Sequence, residues 1–342
     1  MAKEFLKIFL SKFSSLFNLE YLRKTTNHRL LLPFYHCVSD ENLVHIKHLY
    51  KIISTKQFEL DLDFLLKNYT AISNTDLKTK IKLQHLQSEN CFFLTFDDGL
   101  RECYDVIAPI LLKKGIPATF FLNTDFIDNK DLFYRMKASI LIEKINKKNL
   151  KKSELNEINK LFLSNNLKFS QSNDLLKINY NNRQILDKLA CILELDFQEF
   201  LKQFSPYLTK PQIQELINKG FSIGAHSASH PYYYYLTENE QIIQTINSLN
   251  YIVNNFYVEE TMFAFPFSDF GVKNSFFSKM SDFIDISFGT AAIKDDSQAN
   301  HFQRIPMENS CYKNAQQCIK TEYLLFLIKK MFNKHQIFRS PL

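Results

Sequence analysis

Two adjacent acids, Asp97 and Asp98, and two histidines, His226 and His230, are the residues whose types and spacing could do chemistry. The acids end an apolar run, residues 92–96, which has the length and aromatic content of a buried strand. Gly99 closes the stretch. In parallel α/β sheets and barrels, sites are built at the carboxyl ends of strands. Neighbouring residues at such an end point in different directions, so the two carboxylates can hold different jobs. The histidines follow a second short apolar stretch, residues 221–225. Four residues apart, they face one point if the turn between them is helical. Two histidines, one carboxylate and an open fourth position are the ligand set of a hydrolytic zinc site. Alone, Asp-Asp-Gly is ordinary turn chemistry, and a single histidine is ordinarily a packed or surface residue. Their combination, each after a strand, points to a site.

The elements that must position these residues read as strands alternating with helices. Residues 30–36 form a first strand that ends in His36 at the same presumed face. Residues 101–114 form a helix with Ile107, Ile110 and Leu111 on its apolar face, and Gly115 stands at the stop position. Residues 117–123 are the next strand. Strand, helix and strand with short links make a βαβ unit, so the strands are parallel. Residues 55–68 show helical periodicity, and capping boxes at Thr209 and Thr237 open two more helices. Further strands are expected at 262–267 and 284–289, with Arg304-Ile305-Pro306 after a last extended piece. Residues 125–205 break this rhythm: they carry Lys, Asn, Leu and Ile at helical spacing and no glycine. They read as an inserted helical subdomain that leaves a strand's carboxyl end and overhangs the site. It would shape substrate access, contact another protein, or be a structural excursion. Tyr232 to Tyr235 would line an aromatic wall for sugar rings or pack on the rim.

Thr95-Phe96-Asp97-Asp98-Gly99, then Gly115-Ile116-Pro117-Ala118-Thr119-Phe120-Phe121, then His226-Ser227-Ala228-Ser229-His230, resembles the polysaccharide deacetylase family, the NodB-like members of carbohydrate esterase family 4. The order and spacing agree from about Leu31 to Pro306, apart from the insertion. The resemblance implies an α/β fold, a distorted seven-stranded (β/α) barrel. The division is then an N-terminal amphipathic helix at 1–27, the barrel at 28–124 and 206–310, the helical insertion at 125–205 and a C-terminal helix at 311–342. It also implies that Asp98, His226 and His230 bind a divalent metal, most simply Zn²⁺. Asp97 would be the general base, and the backbone N–H of Phe267 would meet the oxyanion. The activity implied is removal of acetyl groups, chiefly N-acetyl, from a sugar of a polysaccharide or its lipid-linked precursor. Three alternatives stay open: an O-acetyl esterase, a small-molecule amidohydrolase of the same fold, and a catalytically silent glycan-binding relative. Asp97 argues against the last, since a binder needs no base.

The chain departs from the family pattern in two places. An arginine usually stands two residues before the third motif's proline and orients the base; here that position is Ala264, and Phe267 replaces a tyrosine. Arg304 would supply the missing guanidinium from another strand. The family's Leu-x-His general acid is not found after Pro266, where only His301 and His335 remain. His36 is the stand-in acid, with a packing role equally open.

Composition sets the remaining bounds. With 342 residues, 45% hydrophobic and 23% charged, the chain is globular with ample core. Its net charge of +6 is spread along the sequence, which argues against nucleic acid as a partner and suits an acidic glycan or an anionic membrane. Six cysteines without a CxxC pair read as reduced thiols. Near the amino end, Phe5, Leu6, Ile8, Phe9, Leu10, Phe13, Leu16 and Phe17 are interspersed with Lys3, Lys7 and Lys12. This is an amphipathic helix with a basic edge, short of the ~20 apolar residues that span a bilayer and unlike a leader peptide. It would pack on the domain or lie on a membrane surface. A cytoplasmic protein, peripheral at the inner membrane surface and acting on an acetylated carbohydrate, is the expectation.

Overall fold

The apolar runs of the sequence become short strands buried on both faces, as parallel strands are when helices cover them. The computed structural model describes residues 2–340. Six barrel strands follow in chain order: β1 (Pro33–Tyr35), β2 (Leu94–Phe96), β3 (Ala118–Leu122), β4 (Ser222–Ala225), β5 (Met262–Ala264) and β6 (Ile286–Gly289). Each pairs in parallel with the next. The last strand, β7 (301–306), changes neighbours midway: His301–Gln303 pairs with β6, and Ile305–Pro306 pairs with β1. That exchange closes the sheet into the expected seven-stranded barrel. Arg304 sits at the changeover.

Alternation along β3 separates two cores. Phe120 and Leu122 pack outward with Leu111, Ile213 and Phe263 beneath the helices. Phe121 joins Phe93, Met262, Ala264 and Phe288 in the barrel interior. The rings of Phe93 and Phe288 stack there at 5.7 Å. Within residues 125–205 lie the α-helices Tyr134–Lys147, Lys152–Leu163, Gln184–Ile192 and Phe197–Phe204. Leu141, Ile158, Phe162, Leu186 and Leu189 give the insertion its own apolar core, joined at the rim to Leu100, Phe126 and Tyr207.

Several boundaries differ from the sequence expectations, each for a local reason. The segment 1–27 is not one helix: Ala2–Phe13 gives way to a 3₁₀ turn at Ser14–Leu16, and a second helix spans Leu19–Thr26. Asn18 starts the second helix by accepting the Glu20 and Tyr21 N–H groups at 2.8 and 3.2 Å. The strand 30–36 is split, because Leu30–Leu31 belongs to a small separate sheet with Cys91–Phe92 and Thr70–Ala71. The helix after Gly99 begins with a π-wound stretch, Cys103–Ile107, before Ala108–Lys114 becomes α-helical. The C-terminal helix spans Ala315–Met331 and is followed by Gln336–Ile337, paired with Asp295–Asp296. All six cysteines are free thiols, four of them buried.

Candidate active site

At the carboxyl end of β2 the chain stays in the sheet for one more residue and then reverses. The Asp97 N–H donates to Tyr35 O at 3.0 Å, whereas Asp98 and Gly99 take φ of +73° and +66°. This left-handed pair is what sends the two carboxylates to different places. A side chain at Gly99 would start 2.9 Å from Leu122 Cδ2. Gly99→Ala should therefore cost about 1–2 kcal/mol for the left-handed backbone beyond that collision. A urea melt with a wild-type midpoint would contradict this.

His226 follows β4 directly, its N–H bonded to Leu122 O at 2.9 Å. The turn to His230 is not helical, so the two rings meet by another route. Ser227 and His230 adopt φ of +65° and +56°, and Ser227 Oγ accepts the His230 N–H at 3.1 Å. Backbone strain of this kind costs about 1–3 kcal/mol per residue and clusters where function requires it. Here two left-handed residues do what a helical turn would have done. Nε2 of His226 and of His230 lie 3.6 and 3.1 Å from Asp98 Oδ1. The His230 ring is held between Phe133 and Phe267, with centroids at 4.2 and 4.8 Å.

Asp98, His226 and His230 fit a divalent cation. Their ligand atoms lie within 4.8 Å of one another, and Asp98 Oδ1 is buried without a hydrogen-bond donor. An orphaned carboxylate oxygen is costly unless something positive fills the space. Nδ1 of His226 donates to Ala264 O at 2.8 Å, which leaves the Nε2 lone pair facing the site. Burial lowers His226 to about 4, so the ring is neutral as a ligand must be. Burial pushes Asp98 upward, but His230, His36 and His226 outweigh it and hold the carboxyl well below the usual range.

Asp97 belongs to a different arrangement. Its two oxygens accept from Nη1 and Nη2 of Arg304, both at 2.7 Å. Arg304 also donates to Thr95 Oγ1 at 3.0 Å, is wholly buried, and lies 4.4 Å from the Phe34 ring centroid. Burial works against the Asp97 charge, yet Arg304 and His226 keep its carboxyl below the ordinary value. Asp97 Oδ2 is 3.9 Å from His226 Nε2, beside the ligand set and outside it.

His36 follows β1 and faces the same cavity. Its Nδ1 is hydrogen-bonded to Glu308 Oε2, while Glu308 Oε1 accepts the backbone N–H groups of His36 and Cys37 at 2.9 and 2.8 Å. The ring stacks on Tyr50 at 4.7 Å. Burial pulls His36 down, but Glu308 more than offsets it and lifts it to about 9. Glu308 and Tyr50 were not singled out from sequence. No local signal marks Glu308, because its contact with His36 exists only through the pairing of β7 with β1.

These groups open on one cavity of about 440 Å³, to which the insertion contributes Phe133 and Arg135. Phe267, at φ +58°, forms part of its wall. Tyr232 to Tyr235 do not line it: Tyr232 packs on Phe267 at 5.6 Å, and Tyr233 is buried with its hydroxyl on Thr245. His301 and His335 also lie elsewhere. His301 bonds to Ser287 and Asp269 at 2.8 and 3.0 Å, and His335 sits 3.9 Å from Asp295. A second cluster, Asp269, Asp296 and His301, has ligand-like spacing. There the Arg339 guanidinium already supplies the positive charge, 2.6 Å from Asp296 Oδ2 and bonded to Asp269.

Comparison with known proteins agrees with this geometry. The polysaccharide deacetylase family profile matches residues 85–160 and 179–276, just over half of the chain. YxkH of Bacillus subtilis is 28% identical over 103 residues, which cover 30% of this chain and only 34% of YxkH. The deacetylase PplD of Streptococcus pyogenes, solved with acetate, superposes with a TM-score of 0.54 at 14% identity, covering 86% of this chain and 97% of PplD. IcaB from Ammonifex degensii gives a TM-score of 0.52 at 13% identity, with the same coverages of 86% and 97%. At such identities the two structures speak for the fold alone. The family match, the shared barrel and the motifs at its strand ends place this chain in the polysaccharide deacetylase family.

Proposed function

We propose that this protein is a metal-dependent hydrolase that removes acetyl groups, N-acetyl above all, from a sugar of a polysaccharide or its lipid-linked precursor. One observation carries the reading: a carboxylate clamped by a buried arginine stands beside an unsatisfied His-His-Asp triad in one cavity. A glycan binder would need neither the clamp nor the second acid.

Asp98, His226 and His230 would hold the ion. A divalent cation there, Zn²⁺ the simplest, would supply Lewis-acid polarisation and make water a stronger acid near neutral pH. Asp97, kept ionised by Arg304, takes the proton of the attacking water. The water oxygen adds to the acetyl carbonyl carbon, and the Phe267 N–H is assigned to the developing oxyanion. His36, protonated through Glu308, then delivers a proton to the departing nitrogen as the C–N bond breaks. The products are acetate and a free amine. The mixed wall of Tyr50, Phe133 and Phe267 with Arg135 suits the apolar faces and polar edges of a sugar ring.

The test measures bound metal and acetate release together, on wild type, Asp97→Asn and His226→Ala, with a panel of N- and O-acetylated oligosaccharides. Wild type should release acetate from N-acetyl sugars. Asp97→Asn should keep its metal and lose about 10²–10⁴-fold in turnover, and His226→Ala should lose the metal itself. Release confined to O-acetylated sugars would move the assignment to an esterase. Bound metal with no release from any sugar would favour glycan binding.

A further inference from the structure

The N-terminal helix Ala2–Phe13 packs on the barrel's outer layer the wrong way round for a core helix. Lys7 and Ser11 face inward, 8% and 5% exposed, beside the half-buried Leu6 and Leu10, and Ser14 just beyond the helix is 2% exposed. Lys7 Nζ reaches Glu322 Oε1 at 2.7 Å, and Ser11 O accepts from Gln317 Nε2 at 3.0 Å. The larger part of its apolar residues faces outward: Phe5, Phe9 and Phe13 are 74%, 51% and 44% exposed, Ile8 is 43%, and Leu16 just beyond the helix is 78%. Their spacing of three and four residues makes a single stripe along the helix. A helix stabilised only by its own domain would bury that stripe and expose the lysine.

The surroundings say what covers it. The contacts Lys7–Glu322 and Ser11–Gln317 set this helix antiparallel to the C-terminal helix Ala315–Met331. The exposed Met331 and Phe332 therefore lie beyond its amino end. Lys12 on the same helix is exposed, as are Lys24 on the next helix and Lys330 and Lys334 at the end of the C-terminal helix, and residues 323–342 contain four basic side chains and no Asp or Glu. An apolar aromatic stripe edged by lysines matches an anionic lipid surface, where the rings enter the headgroup boundary and the lysines meet the phosphates. A two-fold contact with a second copy would instead bring these lysines toward one another. No helix among the described residues is long and apolar enough to cross a bilayer, so the contact lies in the membrane plane.

We propose that this face is a peripheral docking surface for an anionic bilayer. Residues Ser14 and Ser15 at its upper end share a cleft with Ser310 to Asn314, the loop that leaves the rim after Glu308. Docking would thus hold the side of the barrel against the lipid with the active-site rim nearby, within reach of an acetylated sugar on a lipid carrier. That last clause rests on the proposed deacetylase activity; the docking itself does not.

The experiment is co-sedimentation of the full chain with phosphatidylcholine vesicles, with and without phosphatidylglycerol, at low and high salt. Wild type should bind the anionic vesicles and release at high salt. Phe9→Glu/Leu16→Glu should reduce the bound fraction about tenfold or more, and Lys12→Glu/Lys330→Glu should weaken it chiefly on anionic lipid. All four positions are exposed, so both variants should keep wild-type melting and wild-type acetate release from a water-soluble sugar. Wild type that stays in solution, or Phe9→Glu/Leu16→Glu that binds as well, would overturn the proposal. So would a wild-type dimer in sedimentation equilibrium that the same variant makes monomeric. Vesicle binding without acetate release from any sugar would leave the docking intact and count only against the proposed hydrolase.

Discussion

Arg304→Ala is expected to lose about 10²–10³-fold in kcat while retaining its metal. The guanidinium holds both oxygens of Asp97 in a planar fork, which fixes the direction of the proposed base and compensates its buried charge. Without it, burial becomes the leading influence on Asp97 and raises its pKa. The acid limb of the pH–rate profile should therefore move up toward neutrality. Removing one partner of a buried pair also leaves an uncompensated charge, which costs about 3–5 kcal/mol of stability. Arg304→Lys keeps the charge and loses the fork, so it should recover stability better than rate. Acetate release across pH, metal content and a thermal melt measure all three effects. An Arg304→Ala enzyme with wild-type kcat and an unmoved acid limb would remove Arg304 from the mechanism.

The second large effect concerns the proton donor. A histidine raised from 6.5 to about 9 is protonated throughout the neutral range in the folded chain. The proton donation proposed for His36 would therefore be available below about pH 9 and lost as the pH rises through that value. The same sign governs stability: the contribution of the His36–Glu308 pair is full below 6.5 and disappears as the pH rises through about 9. Glu308→Gln keeps most of the shape but removes the charge, leaving burial, opposed only by Asp98 and Asp97, to pull His36 down from about 9. The basic limb of the rate profile should shift down with it. His36→Gln should lose about 10²–10⁴-fold and no longer show that limb. A Glu308→Gln profile that superposes on wild type would assign the pair to packing, a role the Tyr50 stack already gives His36.

The departures noted in the third motif find a geometric counterpart here. Ala264 on β5 leaves no side chain to reach Asp97, and it instead offers its carbonyl to His226. The guanidinium arrives from β7, across the rings of Phe34, Phe121 and Phe288 in the barrel interior. A small residue on one strand and a long one on another fill the same lumen.

By itself the sequence determined the four residues at the strand ends and the parallel α/β class. Both rest on local chemistry: an apolar run ended by acids or histidines, and βαβ links too short for anything else. Residues 125–205 were likewise legible as helices, since helical periodicity is a property of the segment alone. The resemblance had already named Arg304 as the stand-in guanidinium; the tertiary structure decided that it grips both oxygens of Asp97 and that Glu308 charges His36. Both contacts depend on β7 changing partners at barrel closure, and no periodicity along the chain encodes which distant strand lies alongside. It also decided the convergence of His226 and His230, which runs through left-handed backbone at Ser227 and His230 with no glycine to announce it. The direction of the N-terminal helix was open for the same reason. Its pattern showed two faces, and only the pairing of Lys7 with buried Glu322 settled which one the domain would keep.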